Sequence, residues 1–244
     1  MSRFGYTSLG FGSGASAAAA GFPNIYSGHF DGVDDYGSVG DVGADIYTAA
    51  FWFKPDSPIT AASAWSYPLS LNGWNGMSFG DITGHIPSEI VVVYVGGVRS
   101  AYSGAGSISA DWHHIAMTHN GTGYDIYLDG VDVTTVTATQ AVITGSSVNI
   151  AVVSTGYFPG LIDEVALWDT AALSAAEIVA IYNSPDGPTD LTENAGDYTS
   201  SADLVNYWRM GDDNGGSGTT VTDQGSGGDD MTLQNGAAMV ADAP

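Results

Sequence analysis

The side chains in this chain that could do chemistry are chiefly carboxylates, histidines and aromatics. The adjacent pair in Ile162-Asp163-Glu164-Val165 is the first candidate for acid–base work. Glycoside hydrolysis needs two carboxyls flanking the scissile bond, about 5–5.5 Å apart for retention and wider for inversion. Successive side chains on a strand point to opposite faces, so this reading sends Asp163 and Glu164 apart. Only four glutamates exist (Glu89, Glu164, Glu177 and Glu193), and Glu177 sits where a helix cap needs it. No Gly-x-Ser-x-Gly elbow precedes a helix to supply a nucleophilic serine. The expectation is a protein that binds rather than catalyses.

His113, His114 and His119 invite a zinc reading. The first two alternate across a strand and cannot share one metal without a bulge, so one buried and one solvated histidine is the expectation. Hard oxygens offer a better case for a cation, since Ca²⁺ takes about 6–8 of them in flexible geometry. Asp31, Asp163, Asp223 and Asp229 are the candidate ligands for Ca²⁺. The competing reading is that such aspartates cap backbone amides in turns, as Asp readily does. For sugars, Trp65, Tyr67, Trp74 and Asn75 in a Gly-rich segment are the candidate contacts, aromatic faces for stacking and an amide for hydroxyls. Packing beneath a loop competes with that role, because tryptophan is usually buried. Trp52, Trp112, Trp168 and Trp208 lie in strand patterns and read as core.

The elements that must position these groups read as strands. Ala49 to Phe53 is an aromatic run closed by Pro55, and Ile90 to Val95 is β-branched and stops at Gly96-Gly97. Trp112 to Thr118 and Tyr124 to Leu128 flank Asn120-Gly121, a hairpin signal. Repeated short strands with glycine turns predict a sandwich or jelly roll. One helix interrupts them over Leu173 to Tyr182, where Ser174 and Glu177 form a capping box and Ile178, Ile181 and Tyr182 share a face. Leu204 to Met210 and Met231 to Leu233 supply later strands that complete a sheet.

Composition narrows the partners. Four bases against 27 acids give a net charge of −23, the opposite of what a phosphate backbone requires, so nucleic acid is excluded as a partner. Cysteine is absent, which removes disulfides and thiolate metal sites. No apolar run reaches the ~20 residues of a membrane span, and no signal peptide is recognised. Residues 1–22 form a Gly/Ala/Ser-rich arm ahead of a 23–244 domain. Its Phe4, Tyr6 and Phe11 are candidate docking anchors on a neighbouring subunit, set against the ordinary reading of a disordered terminus.

Four blocks together resemble the laminin-G-like, concanavalin-A-like lectin and glucanase group. They are His29-Phe-Asp-Gly-Val-Asp-Asp-Tyr36 with Phe51-Trp-Phe-Lys-Pro55, and Trp112-His-His-Ile-Ala116 with Tyr124 to Gly130. The third is Gly160-Leu-Ile-Asp-Glu-Val165 with Trp168 and the helix, and the fourth is Leu204 to Gly211 with Asp223 to Gly227. The resemblance implies an all-β, two-sheet antiparallel jelly-roll sandwich with one short helix near 174–182. It makes Asp163 a recurrent cation ligand. Glucanases of the group present their acids as Glu-x-Asp-x-x-Glu, which Ile162 to Asp169 does not reproduce. The Tyr207-Trp208-Arg209 block closes the chain here, whereas it often opens such domains. A looser resemblance joins the Met1-Ser-Arg-Phe-Gly-Tyr opening to virion proteins of aquatic bacteriophages. It implies a decoration, fibre or appendage protein on the virion surface, assembled with its own copies or other virion proteins and touching host-surface glycans. The alternative is a free or surface-exposed, calcium-dependent carbohydrate-binding lectin.

Overall fold

A computed structural model describes residues 23–80, 90–102, 107–170, 172–183 and 187–244. Phe4, Tyr6 and Phe11, and with them the docking arm, lie outside the described residues. Alternating apolar positions fold into two antiparallel sheets packed face to face. One sheet runs in the order Val131–Asp132, Tyr124–Leu128, His113–His119, Asp45–Pro55, Pro159–Asp169, Ser27–Asp31 and Ala238–Val240, with Leu204–Trp208 also pairing Pro159–Asp169. The other runs Thr220–Val221, Met231–Gln234, Tyr36–Gly40, Val148–Ile150, Ser66–Asn72, Asn75–Phe79, Val91–Val95 and Val98–Tyr102. The late strands do complete both sheets. The architecture is the expected jelly-roll sandwich.

Its core follows the period of two. Phe51, Phe53, Ile115, Met117, Ile162 and Leu167 of the first sheet meet Leu69, Leu71, Met77, Phe79, Val91 and Val93 of the second. The residues between them, Ala50, Ala116, Ala166 and Trp168, face outward and are covered by Ile178 and Ile181 of a helix, Ala175–Tyr182. That helix starts as its sequence requires: Ser174 Oγ accepts from the Glu177 amide, and Glu177 Oε2 accepts from the Ser174 amide at 3.0 Å. Asn183 ends it in the left-handed region, φ 47°. Glu177 does more than cap. Its Oε1 also accepts from the hydroxyls of Thr199 and Ser200, which fastens the 198–200 segment to the helix.

The hairpin turns are equally local in origin. Asn120 Oδ1 accepts from the amides of Thr122 and Gly123, bending the chain between His113–His119 and Tyr124–Leu128. At Gly96-Gly97 both residues hold positive φ, 57° and 90°, the conformation of the two-residue turns whose twist suits a hairpin.

Candidate functional site: an aromatic cleft on the second sheet

Trp65, Tyr67, Trp74 and Asn75 do come together, although the segment is not the loop that its glycines indicated. Ser66–Asn72 and Asn75–Phe79 are strands joined by a turn at Gly73-Trp74. The alternation Leu69-x-Leu71 and Met77-x-Phe79, all facing the core, drives that pairing. A two-residue turn cannot hide an indole, so Trp74 remains 51% exposed. Trp65 stacks on it with ring centroids 5.3 Å apart and planes within 12°. Gly156 packs on Trp65 so closely that a Cβ there would stand 2.8 Å from the indole.

Tyr67 departs from the expected exposed contact. It is 1% exposed, and its hydroxyl donates to the Trp74 carbonyl at 2.9 Å. Burial pushes its pKa up to about 12, so the hydroxyl stays protonated as a donor that fixes the turn. Asn75 Oδ1 accepts from the Gly96 amide at 2.8 Å, tying the Gly73-Trp74 turn to its neighbour at Gly96-Gly97. The two turns and the strands below them enclose a cleft of about 590 Å³, lined by Tyr67, Asn72, Trp74, Asn75 and Tyr94. A volume of that order is typical of small-ligand sites. Tyr94 and Asn72 were missed by the sequence reading. Tyr94 enters because Val91–Val95 pairs with Asn75–Phe79, placing Tyr94 opposite Gly76.

The cation candidates do not assemble. Asp223 is saturated: Oδ1 accepts from the amides of Tyr207 and Gly225, and Oδ2 from Asn206 Nδ2 and the amides of Gly228 and Asp229. Asp229 shares the Asn206 amide with it. Asp31 Oδ1 accepts from the amides of Val33, Asp34 and Asp35, a turn built around one carboxylate. Among the described residues only Asp31, Asp34 and Asp35 bring three carboxylate oxygens within 4.8 Å of one another. Asp223 and Asp229 share one turn through Asn206, Asp31 holds another turn and Asp163 lies buried, so the four are not gathered at one place among the described residues.

Zinc fares no better. His113 Nδ1 pairs with Asp129 Oδ2 at 2.7 Å. His114 is buried against Trp52 and Tyr182, which lowers its pKa to about 4. His119 Nε2 contacts the Gln140 carbonyl at 3.0 Å. Trp52, Trp168 and Trp208 are core as expected, whereas Trp112 is only half-buried and donates to Asp242 Oδ1.

Asp163 and Glu164 require a correction. The strand pairing slips between Asp163↔Trp52 and Ala166↔Ala50, and Glu164 takes φ 50°. This is a β-bulge, and it breaks the alternation that would send the two side chains apart. Both carboxyls are buried. Tyr207 Oη donates to Glu164 Oε2, and Arg209 Nε lies 3.3 Å from Oε1. Burial, reinforced by Glu164, raises Asp163. Burial likewise pushes Glu164 up to about 8 against the pull of Arg209. The pair is sealed under the fold and presents no carboxyl to a substrate.

These shifts predict a pH dependence. Between the ordinary glutamate value of 4.5 and about 8, the unfolded chain gives up the Glu164 proton and the folded chain keeps it. Stability therefore falls as pH rises through that window, by up to about 1.4 kcal/mol per pH unit from this proton. Urea unfolding from pH 4.5 to 8 should show the decline, and Glu164→Gln should reduce it to the part that the raised Asp163 still supplies. An unchanged slope would mean that Glu164 ionises normally.

The sequence profile of the concanavalin A-like lectin/glucanases superfamily matches residues 31–179. No curated protein matches the chain by sequence. Among solved structures, a candidate carbohydrate-binding protein from Bacteroides ovatus superposes with a TM-score of 0.65 at 18% identity over 91% of this chain. This chain spans 62% of that structure's length. Domain 4 of an extracellular arabinanase from Geobacillus stearothermophilus, solved with arabinotriose, has 19% identity over 63% of this chain and 75% of its own, TM-score 0.41. A heptameric pentraxin from Limulus polyphemus has 12% identity over 66% and 82%, TM-score 0.47. The profile match takes in more than half of the sequence, from the Asp31 turn to the helix, and the chain belongs to the concanavalin A-like lectin/glucanase superfamily.

Proposed function

We propose that this protein is a non-enzymatic carbohydrate-binding module whose site is the cleft around Trp74. The observation that carries the reading is the half-exposed Trp74 indole, backed by Trp65 and flanked by Tyr94 and the amides of Asn72 and Asn75. An indole face offers a dispersion surface for the C–H side of a sugar ring. The side-chain amides supply both donors and acceptors for hydroxyls. Catalysis has no support in the acids that the family pattern would recruit, because Asp163 and Glu164 are buried and engaged.

The finer reading is display on a bacteriophage particle, with the module facing host-surface glycans and residues 1–22 docking on other copies or other virion proteins. It rests on the sequence of the arm and on its resemblance to virion proteins. No helix among the described residues is long and apolar enough to cross a membrane.

An array of immobilised glycans probed with the full chain tests the binding role, and the expected result is selective retention on a subset of them. Retention on none would refute it. Light scattering before and after removal of residues 1–22 tests the arm, which should hold the assembly together. An unchanged assembly size would contradict the docking role.

A further inference from the structure

A second cleft, of about 460 Å³, adjoins the first through a shared aromatic pair. Trp65 lines the second cleft while stacking on Trp74, which lines the first. The second wall is rich in hydroxyls, with Ser57, Ser63, Ser66, Thr155 and Tyr157 around Trp65. Hydroxyls and an indole repeat the chemistry of the first cleft, where amides and an indole converge.

Charge is the informative feature. The chain carries 27 acids in 244 residues, yet no described residue lining either cleft is charged. An anionic sugar would meet no basic side chain among the described lining residues, on a molecule of net charge −23, and unscreened like charge opposes such an encounter. Lys54 and Arg209 are engaged elsewhere, with Asp242 and with Glu164 and Asp212, and Arg99, across the strand pair from Tyr94, is not among the residues that line the cleft.

We infer that the two clefts are subsites of one binding site, and that its ligand is an uncharged oligosaccharide long enough to cross the Trp74–Trp65 pair. This rests on the carbohydrate-binding reading above and specifies its ligand class. A short saccharide fills the Trp74 cleft alone. A longer one also reaches the Ser/Thr-lined cleft and gains its contacts without paying again for association, which is the advantage of linked subsites.

The test is calorimetric titration of the full chain with malto-, cello- and xylo-oligosaccharides of two to six units, alongside oligogalacturonides of the same lengths. For at least one neutral series, Kd should fall by about tenfold or more between the disaccharide and the hexasaccharide. Tyr157→Ala, in the second cleft, should cut the hexasaccharide affinity more than the disaccharide affinity. Trp74→Ala should weaken both. A Kd independent of length, or equal losses from Tyr157→Ala at both lengths, would overturn the two-subsite inference and leave the Trp74 site standing. Tighter binding of oligogalacturonides would overturn the uncharged class alone. Binding of none of the four series would overturn this inference, and the reading beneath it falls only if the glycan array retains none either.

Discussion

Replacing Arg209 with alanine should destabilise the fold by about 3 kcal/mol, measured by urea or guanidinium unfolding at neutral pH. Its guanidinium meets three separate parts of the chain. Nε faces Glu164 at the bulge, Nη2 faces Asp212 at 3.3 Å, and Nη2 also donates to the Pro23 carbonyl. Asp212 in turn accepts from the amides of Ile25 and Tyr26, so the entry of the chain into its first strand hangs on this residue. Only 14% of the Arg209 side chain is exposed, and its partners are 3% and 2% exposed. Removing one partner of a buried pair costs about 3–5 kcal/mol because it strands the other charge. The lower end applies here, since at neutral pH the folded chain already keeps the Glu164 proton and the charge left stranded is that of Asp212. Arg209→Lys keeps the charge but loses the planar fork and should fall between the two. A loss under about 1 kcal/mol for the alanine variant would place this cluster among the weak surface pairs.

The second large effect concerns binding. Trp74→Ala should weaken affinity for any saccharide that the chain retains by about 30-fold or more, the scale of a central aromatic anchor worth about 2 kcal/mol. Stability should hardly change, because half of the indole already faces solvent and the substitution leaves the core facing Leu69, Leu71, Met77 and Phe79 intact. Trp74→Phe, which keeps a smaller face, should recover part of the affinity. Loss of stability and binding together would instead assign Trp74 a packing role. Tyr67→Phe supplies a control on geometry: it removes the donor to the Trp74 carbonyl and should loosen the turn without removing the stacking surface.

Much of the fold was legible in the residues. The capping box at Ser174 and Glu177 fixed a helix start that the structure reproduces, and the β-branched run before Gly96-Gly97 gave its hairpin. Those signals are local, since the atoms involved lie within a few residues of one another. The cleft was half legible. Trp65, Tyr67, Trp74 and Asn75 sit within eleven positions, but Tyr94 joins them only through a strand pairing that sequence spacing does not encode. The hairpin beneath them is obscured by its glycines, although the alternation of Leu69, Leu71, Met77 and Phe79 specifies it.

The bulge at Glu164 was illegible for a different reason. Positive φ at that point is occupied by a glutamate rather than a glycine, and its cost is offset by tertiary partners, Tyr207 and Arg209, more than forty residues away. Strict alternation therefore gave the wrong reason for the absence of an acid pair. The better reason is burial. The aspartates Asp31 and Asp223 show the same limit from the other side: residue type fits a cation or a turn equally, and only the direction of the amides around each carboxylate separates the two.

On the proposed reading, a sugar sits on the outward face of Trp74, between Tyr94 and the amides of Asn72 and Asn75. The most direct measurement is a crystal structure of the full chain with a saccharide that the glycan array has identified. A pyranose or furanose ring should be stacked on that indole, with its hydroxyls within hydrogen-bonding distance of one of the two asparagines. A saccharide bound elsewhere on the sandwich, with Trp74 untouched, would contradict it.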